Sequence, residues 1–116
     1  MTSYIAAKDA PLKNTGQIKL YSREDYDAMR AASQLTARCL DEVTHMVKPG
    51  VTTQEIDEFV YEFGKQNSAV PATLTYRGYP YSSCISLTHV VCHGMPGPTP
   101  LRNGDILNVD IPFVLD

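Results

Sequence analysis

The residues best suited to chemistry are a histidine and an aspartate. His93 lies in Val90-Val91-Cys92-His93-Gly94-Met95-Pro96, and Asp110 ends the run Asn103-Gly104-Asp105-Ile106-Leu107-Asn108-Val109-Asp110. A neutral imidazole that follows an apolar run and precedes a glycine is expected to face a cleft. There it can hydrogen-bond a bound amide and steady developing negative charge. A histidine at the core edge, satisfied by a backbone carbonyl, fits the same residues. Asp110 is flanked by Val109 and Ile111, so at least partial burial is expected. An unpaired buried carboxylate costs several kcal/mol and calls for a cation or a strong donor. A metal ion meets that need through oxygen ligands, and Asn108 shares the polar face. An aspartate at a strand end, near solvent or bonded to loop amides, is the plainer alternative.

The elements that must hold these residues can be read in chain order. Residues 1–16 carry turn formers and charge (Lys8, Asp9, Pro11, Asn14, Gly16) without a sustained period, which predicts a flexible or surface-wrapping arm. Gln17–Tyr21 alternates briefly and predicts a short edge strand. Ser22 is the expected N-cap of a helix with Glu24 and Asp25 in its first turn. Met29, Ala32, Cys39, Val43, Met46 and Val47 recur at helical spacing, up to a stop at Pro49-Gly50. Thr52 and Glu55 form a capping-box pattern, and Ile56, Phe59, Val60 and Phe63 make the apolar stripe of a second helix.

From residue 72 the period changes. Strands are predicted at Thr73–Tyr76, Ser83–Leu87 and His89–Cys92, with Arg77-Gly78-Tyr79-Pro80 as punctuation. Gly94–Pro100 holds two glycines and three prolines and predicts a constrained loop. Leu107, Val109, Ile111, Phe113 and Leu115 form one apolar row of a final strand, opposite Ile106, Asn108, Asp110, Pro112 and Val114. Pro112 removes a ladder donor and predicts an edge or a bulge. Amphipathic helices followed by strands give an α/β (α+β) class, two helices packed on an antiparallel sheet.

Composition excludes several functions. A chain of 116 residues fits one domain, and 43% hydrophobic with 20% charged residues is ordinary for a globular protein. A net charge of −3 without a basic run leaves nucleic-acid binding no electrostatic footing. Cys39, Cys84 and Cys92 are an odd number without a CxxC pair, which argues against a disulfide framework and fits a reducing cytosol. No apolar core of a signal peptide and no membrane span is visible, so a cytoplasmic location is expected.

The ordered set Tyr76-Arg77-Gly78-Tyr79-Pro80, Cys84-Ile85-Ser86, Val91-Cys92-His93-Gly94 and Gly104-Asp105-Ile106-Leu107-Asn108-Val109-Asp110 closely resembles the type I methionine aminopeptidases. The resemblance spans residues 22–116 and covers the first half of that family's catalytic domain. It implies the pita-bread fold, with residues 1–21 an N-terminal arm and 22–116 a truncated catalytic domain. It also implies removal of initiator methionine from nascent chains by two divalent metals (cobalt, manganese, iron or zinc) that bridge a water and polarise the scissile carbonyl. By the same resemblance Asp110 is a metal ligand, and His93 is a catalytic, substrate-contacting residue. Tyr76, Tyr79 and Cys84 line the pocket for the methionine side chain, where sulfur and aromatic faces suit a thioether. Read without the family, those three are simply core residues near a turn. Thr88 and Val90 match a stretch that binds a monovalent cation in some relatives.

The partners implied are nascent polypeptides and the ribosome, with no nucleic acid and no membrane, and the full enzyme is expected to be a monomer. Arg77 departs from the histidine many relatives carry. The family's later ligands (a second aspartate, a histidine and two glutamates) are not found in this sequence. Two other readings therefore stay open: a non-catalytic module of the same fold that binds a peptide or partner, and a truncated relic. The 116-residue polypeptide alone is expected to self-associate and show no turnover.

Overall fold

A computed structural model describes residues 2–74 and 76–115. The chain divides into two compact units, Met1–Ala31 and Ala32–Asp116. In the first, strands β1 (Tyr4–Ala6) and β2 (Ile18–Leu20) pair in parallel, with Tyr4 opposite Ile18 and Ala6 opposite Leu20. The predicted edge strand is β2, and its partner β1 lies in what the sequence reads as an arm. Helix α1 (Arg23–Thr44) begins here. Its first turn is closed reciprocally: the Asp25 N–H donates to Ser22 Oγ at 3.2 Å, and the Ser22 N–H donates to Asp25 Oδ2 at 2.8 Å.

The second unit holds the core. Leu35, Cys39 and Val43 are the buried face of α1, spaced by four residues each. The expected stripe is corrected at both ends. Met29 is 67% exposed within the helix, and Val47 is exposed because α1 ends at Thr44 and residues 45–50 form turns in which the His45 N–H bonds Glu42 O and the Val47 N–H bonds Val43 O. Cys39 is wholly buried, and burial together with the Glu42 charge pushes its thiol up to about 11, so it serves as a small apolar filler.

Helix α2 (Thr53–Gln66) starts at the predicted capping box, where Thr52 Oγ1 accepts from the Glu55 N–H at 3.1 Å and Glu55 returns a bond to the Thr52 N–H at 2.8 Å. Its buried face is broader than the four apolar residues suggest, since Thr53, Asp57 and Gly64 are buried beside Ile56 and Val60. A Cβ on Gly64 would lie 2.7 Å from Phe113 Cε1 and 3.2 Å from Ala69 O. The last turn of α2 therefore sits against the strands that follow.

Those strands form two antiparallel pairs. β3 (Ala69–Pro71) pairs with β6 (Phe113–Leu115), and β4 (Cys84–Leu87) pairs with β5 (Leu107–Asp110). The single strand expected over 107–115 is thus two, divided at Ile111-Pro112. Pro112 has no N–H for a ladder, and its carbonyl accepts the Ala72 N–H at 2.7 Å. The chain changes partner there, from β4 to β3. Its apolar row survives the change: Leu107, Val109, Ile111, Phe113 and Leu115 all belong to the core or pack on it.

Two expected strands do not form. Around Thr73–Tyr76 the chain makes turns and a 3-10 turn at Tyr76–Gly78, with Thr75 outside the described residues. Over His89–Cys92 it is irregular, and Val91 is almost fully exposed, because this stretch rounds the corner after β4 with no strand beside it. No helix among the described residues is long and apolar enough to cross a membrane.

Ile56 is fully buried, so Ile56→Ala is expected to cost about 2–5 kcal/mol of stability, whereas Met29→Ala is expected to stay within about 0.5 kcal/mol. Denaturant titration of the two variants checks the placement of the core.

Candidate functional site

A cleft of about 510 Å³ in the second unit is lined by Thr73, Tyr76, Arg77, Gly78, Tyr79, Pro80, Cys84, His93, Met95 and Asp110. All five residues singled out in the sequence (Tyr76, Tyr79, Cys84, His93 and Asp110) lie on its wall. Their convergence is built by β4. Cys84 stands directly opposite Asp110 in the β4–β5 register, so their side chains share one face. The alternate residues Ile85 and Val109 turn to the core. One strand pair thus carries core on one side and chemistry on the other.

Asp110 itself is exposed. The expected burial is corrected, because it ends β5 on the polar face of the pair while its neighbour Ile111 takes the buried position.

His93 is brought in by Gly94. The Ile85 N–H donates to the Gly94 carbonyl at 2.9 Å, and the Gly94 N–H donates to Ser86 Oγ at 2.9 Å. A Cβ on Gly94 would run into the Ile85 carbonyl and lie 2.8 Å from Ser86 Cα, so only glycine permits this approach. The other end of the proline-rich loop is anchored to the start of α2, where the Gly97 N–H donates to Thr53 Oγ1 at 2.8 Å and the Gln54 N–H donates to Gly97 O at 3.1 Å. The loop expected at Gly94–Pro100 is constrained by these two anchors.

Strain gathers here. His93 and Arg77, two residues of the cleft, adopt left-handed backbone at φ 55° and 48°. Such geometry in a non-glycine residue costs on the order of 1–3 kcal/mol and concentrates at functional sites. Arg77 lays its guanidinium over the Tyr76 ring, 5.4 Å from the centroid.

Tyr79 donates from its hydroxyl to Ser83 O at 2.8 Å and packs edge-on to Tyr81 with centroids 5.7 Å apart. Burial first, then the Cys84 side chain, raises its pKa above the ordinary phenol value, so the hydroxyl stays protonated as a donor. Behind this wall lies a residue the sequence reading passed over. Asp57 on α2 accepts at Oδ1 from the Ser82 N–H at 3.0 Å and from the Ser83 hydroxyl at 2.6 Å. Burial is the largest influence on it and raises its pKa above the usual carboxylate range, with the serine donors pulling the other way. The signal was present in spacing: Thr53, Asp57, Val60 and Gly64 fall at i, i+4, i+7 and i+11 along one side of the stripe.

Comparison with known proteins decides the family. The model of metallopeptidase family M24 matches residues 27–116. The chain belongs to metallopeptidase family M24. It is 46% identical over 99 residues to a methionine aminopeptidase of Rickettsia prowazekii, an alignment that covers 85% of this chain and 38% of that protein. It is 40% identical over 113 residues to the chloroplastic/mitochondrial methionine aminopeptidase 1D of Arabidopsis thaliana, covering 97% of this chain and 32% of that one. The crystal structure of the Rickettsia prowazekii methionine aminopeptidase superposes with a TM-score of 0.83 at 45% identity, over 85% of this chain and 40% of that chain. The chain therefore spans between about a third and two fifths of the length of these relatives. It has the α/β architecture of the pita-bread fold and corresponds to its N-terminal half.

M24 is a family of metallopeptidases, so the donor set of the cleft is a direct test. Among the described residues no group of three or more His, Cys, Asp or Glu side chains is placed to hold a metal ion. Among the described residues, Asp110 is the one carboxylate on the cleft wall. A bound divalent ion takes about four ligands or more, so the described residues offer a ligand position without a complete coordination sphere.

Gly94→Ala is expected to push the loop off β4, at about 1–3 kcal/mol of stability, and to shift the His93 ring resonances; denaturation and NMR check both. For Asp57, a pKa raised by folding means its neutral form favours the native state. That contribution is complete below the unfolded value near 3.8 and is lost as pH rises through the folded pKa. Asp57→Asn keeps the acceptor without the charge, so its melting temperature relative to wild type should improve from pH 3 toward pH 7.

Proposed function

We propose that these residues form the N-terminal half of the active site of a methionyl aminopeptidase, which removes initiator methionine from nascent chains. One observation carries the reading: Tyr76, Tyr79, Cys84, His93 and Asp110 converge on a single cleft. The relatives named methionine aminopeptidase support it. In this reading residues 1–21 are an arm and 22–116 the first half of the catalytic domain.

Each side chain has a role its surroundings allow. Tyr79, half-buried, and Cys84, buried, form the wall that receives a thioether, with Tyr76 closing the rim. Sulfur and aromatic faces contribute dispersion to a methionine side chain, and a short cavity excludes longer ones. His93 hydrogen-bonds the peptide amide or the oxyanion, held in orientation by the Gly94 anchor. Asp110 is a metal ligand, and further donors complete a two-metal centre. The protein acts in the cytoplasm as a monomer, on chains emerging from the ribosome.

The test uses the protein at its full encoded length and a peptide beginning Met-Ala. Methionine release should require a divalent metal and stop on chelation. His93→Ala should lower kcat by about a hundredfold or more, and Asp110→Ala should lower bound metal measured by elemental analysis. Release that survives chelation, or that ignores both substitutions, contradicts the reading. Peptide binding by the metal-free protein without any release favours a non-catalytic binding module.

A further inference from the structure

We propose that Asp57 is a positioning residue of the cleft, fixing its wall through Ser82, Ser83 and Tyr79. The inference rests on the aminopeptidase reading for its effect on substrate, and on geometry alone for its effect on the wall.

Asp57 is only 8% exposed and is the one acidic or basic side chain among the buried residues described. A carboxylate in that position is unfavourable for packing alone, and an apolar residue on this face of α2 would serve the core better. What it gains is two donors on one oxygen, Oδ1: the Ser82 N–H at 3.0 Å and the Ser83 hydroxyl at 2.6 Å. Ser83 is itself 0% exposed.

The connections beyond Ser83 all lead to the cleft. The Ser83 carbonyl accepts the Tyr79 hydroxyl at 2.8 Å, and that hydroxyl also lies 3.4 Å from the Gly94 carbonyl. The Gly94 carbonyl is the acceptor of the Ile85 N–H that seats the loop of His93. Cys84 follows Ser83 directly and opens β4 opposite Asp110. One carboxylate on the helix behind the wall thus holds Ser83, which fixes the Tyr79 hydroxyl and precedes the first residue of β4, and the Tyr79 hydroxyl in turn lies against the carbonyl of Gly94 in the His93 loop. A carboxylate serving only to join α2 to the strands would have no reason to end on these groups.

The claim concerns the acceptor and leaves the charge aside, which makes it separable from general destabilisation. In the full-length protein, Asp57→Ala and Ser83→Ala should each displace the amide resonances of Cys84 and Gly94 while leaving those of Val43 and Leu35 in place. Each should raise KM for methionine release by up to about tenfold, the size of a lost hydrogen bond, with kcat changed less. Asp57→Asn retains the oxygen acceptor and should restore both readouts. If Asp57→Ala fails to fold, Ser83→Ala decides, because Ser82 still holds the carboxylate. Cys84 and Gly94 resonances unmoved by Ser83→Ala, or moved no more than those of Val43 and Leu35, overturn the proposal. So does an Asp57→Asn variant as impaired as the alanine. Absence of methionine release in wild type as well contradicts the proposed activity instead, while the resonances still decide the positioning role.

Discussion

The backbone of Gly94 lies against strand β4 so closely that no side chain fits between them, and the cleft depends on that approach. Two hydrogen bonds hold it, one in each direction across the Ile85–Ser86 step. Each is worth only about 1 kcal/mol net. The steric requirement is what makes the arrangement specific, because a backbone carbonyl and a Cα on a paired strand cannot move aside as a side chain could. His93, the residue before it, stands on the cleft wall with a left-handed backbone at φ 55°. That local cost sits between the anchors of the loop on β4 and on α2.

The strand being docked against is fixed from its other side. β4 pairs with β5 in a register that sets Cys84 opposite Asp110, and the alternation of side chains then sends Ile85 and Val109 into the core. A slip of one residue would exchange the two faces and bury the carboxylate. Pro112 limits how far β5 can run, since the chain must leave β4 and join β3 where the proline interrupts the ladder. Asp110 thus sits at the last paired position of β5, on the polar face and open to the cleft.

Much of this was legible in sequence where a local rule sets the outcome. Both helix starts followed from capping residues, the second helix from its apolar stripe, and the proline-rich loop from its composition. The grouping of Tyr76, Tyr79, Cys84, His93 and Asp110 followed from the family resemblance that the ordered motifs carry; read residue by residue, the first three are core residues near a turn. The misses share a physical cause. Thr73–Tyr76 and His89–Cys92 have strand-forming residues but no partner strand, and β propensity is expressed only against a neighbour. β3 was overlooked because Ala69-Val70-Pro71 is short and ends in proline, yet β6 pairs with it. Asp110 was expected to be buried because its neighbours are apolar, although alternation places neighbours on opposite faces. Asp57 lies outside the apolar stripe of its helix, and its partners are serines 25 and 26 positions away.

Titration of the full-length protein with manganese, followed by NMR, tests the central claim most directly. The paramagnetic ion broadens whatever lies near it. The account predicts selective broadening of Asp110, Cys84, His93 and Tyr79, with core resonances such as Cys39 and Val43 spared, and loss of the effect in Asp110→Ala. Broadening that ignores these residues, or that persists unchanged without the Asp110 carboxylate, would contradict the cleft as a metal-dependent site.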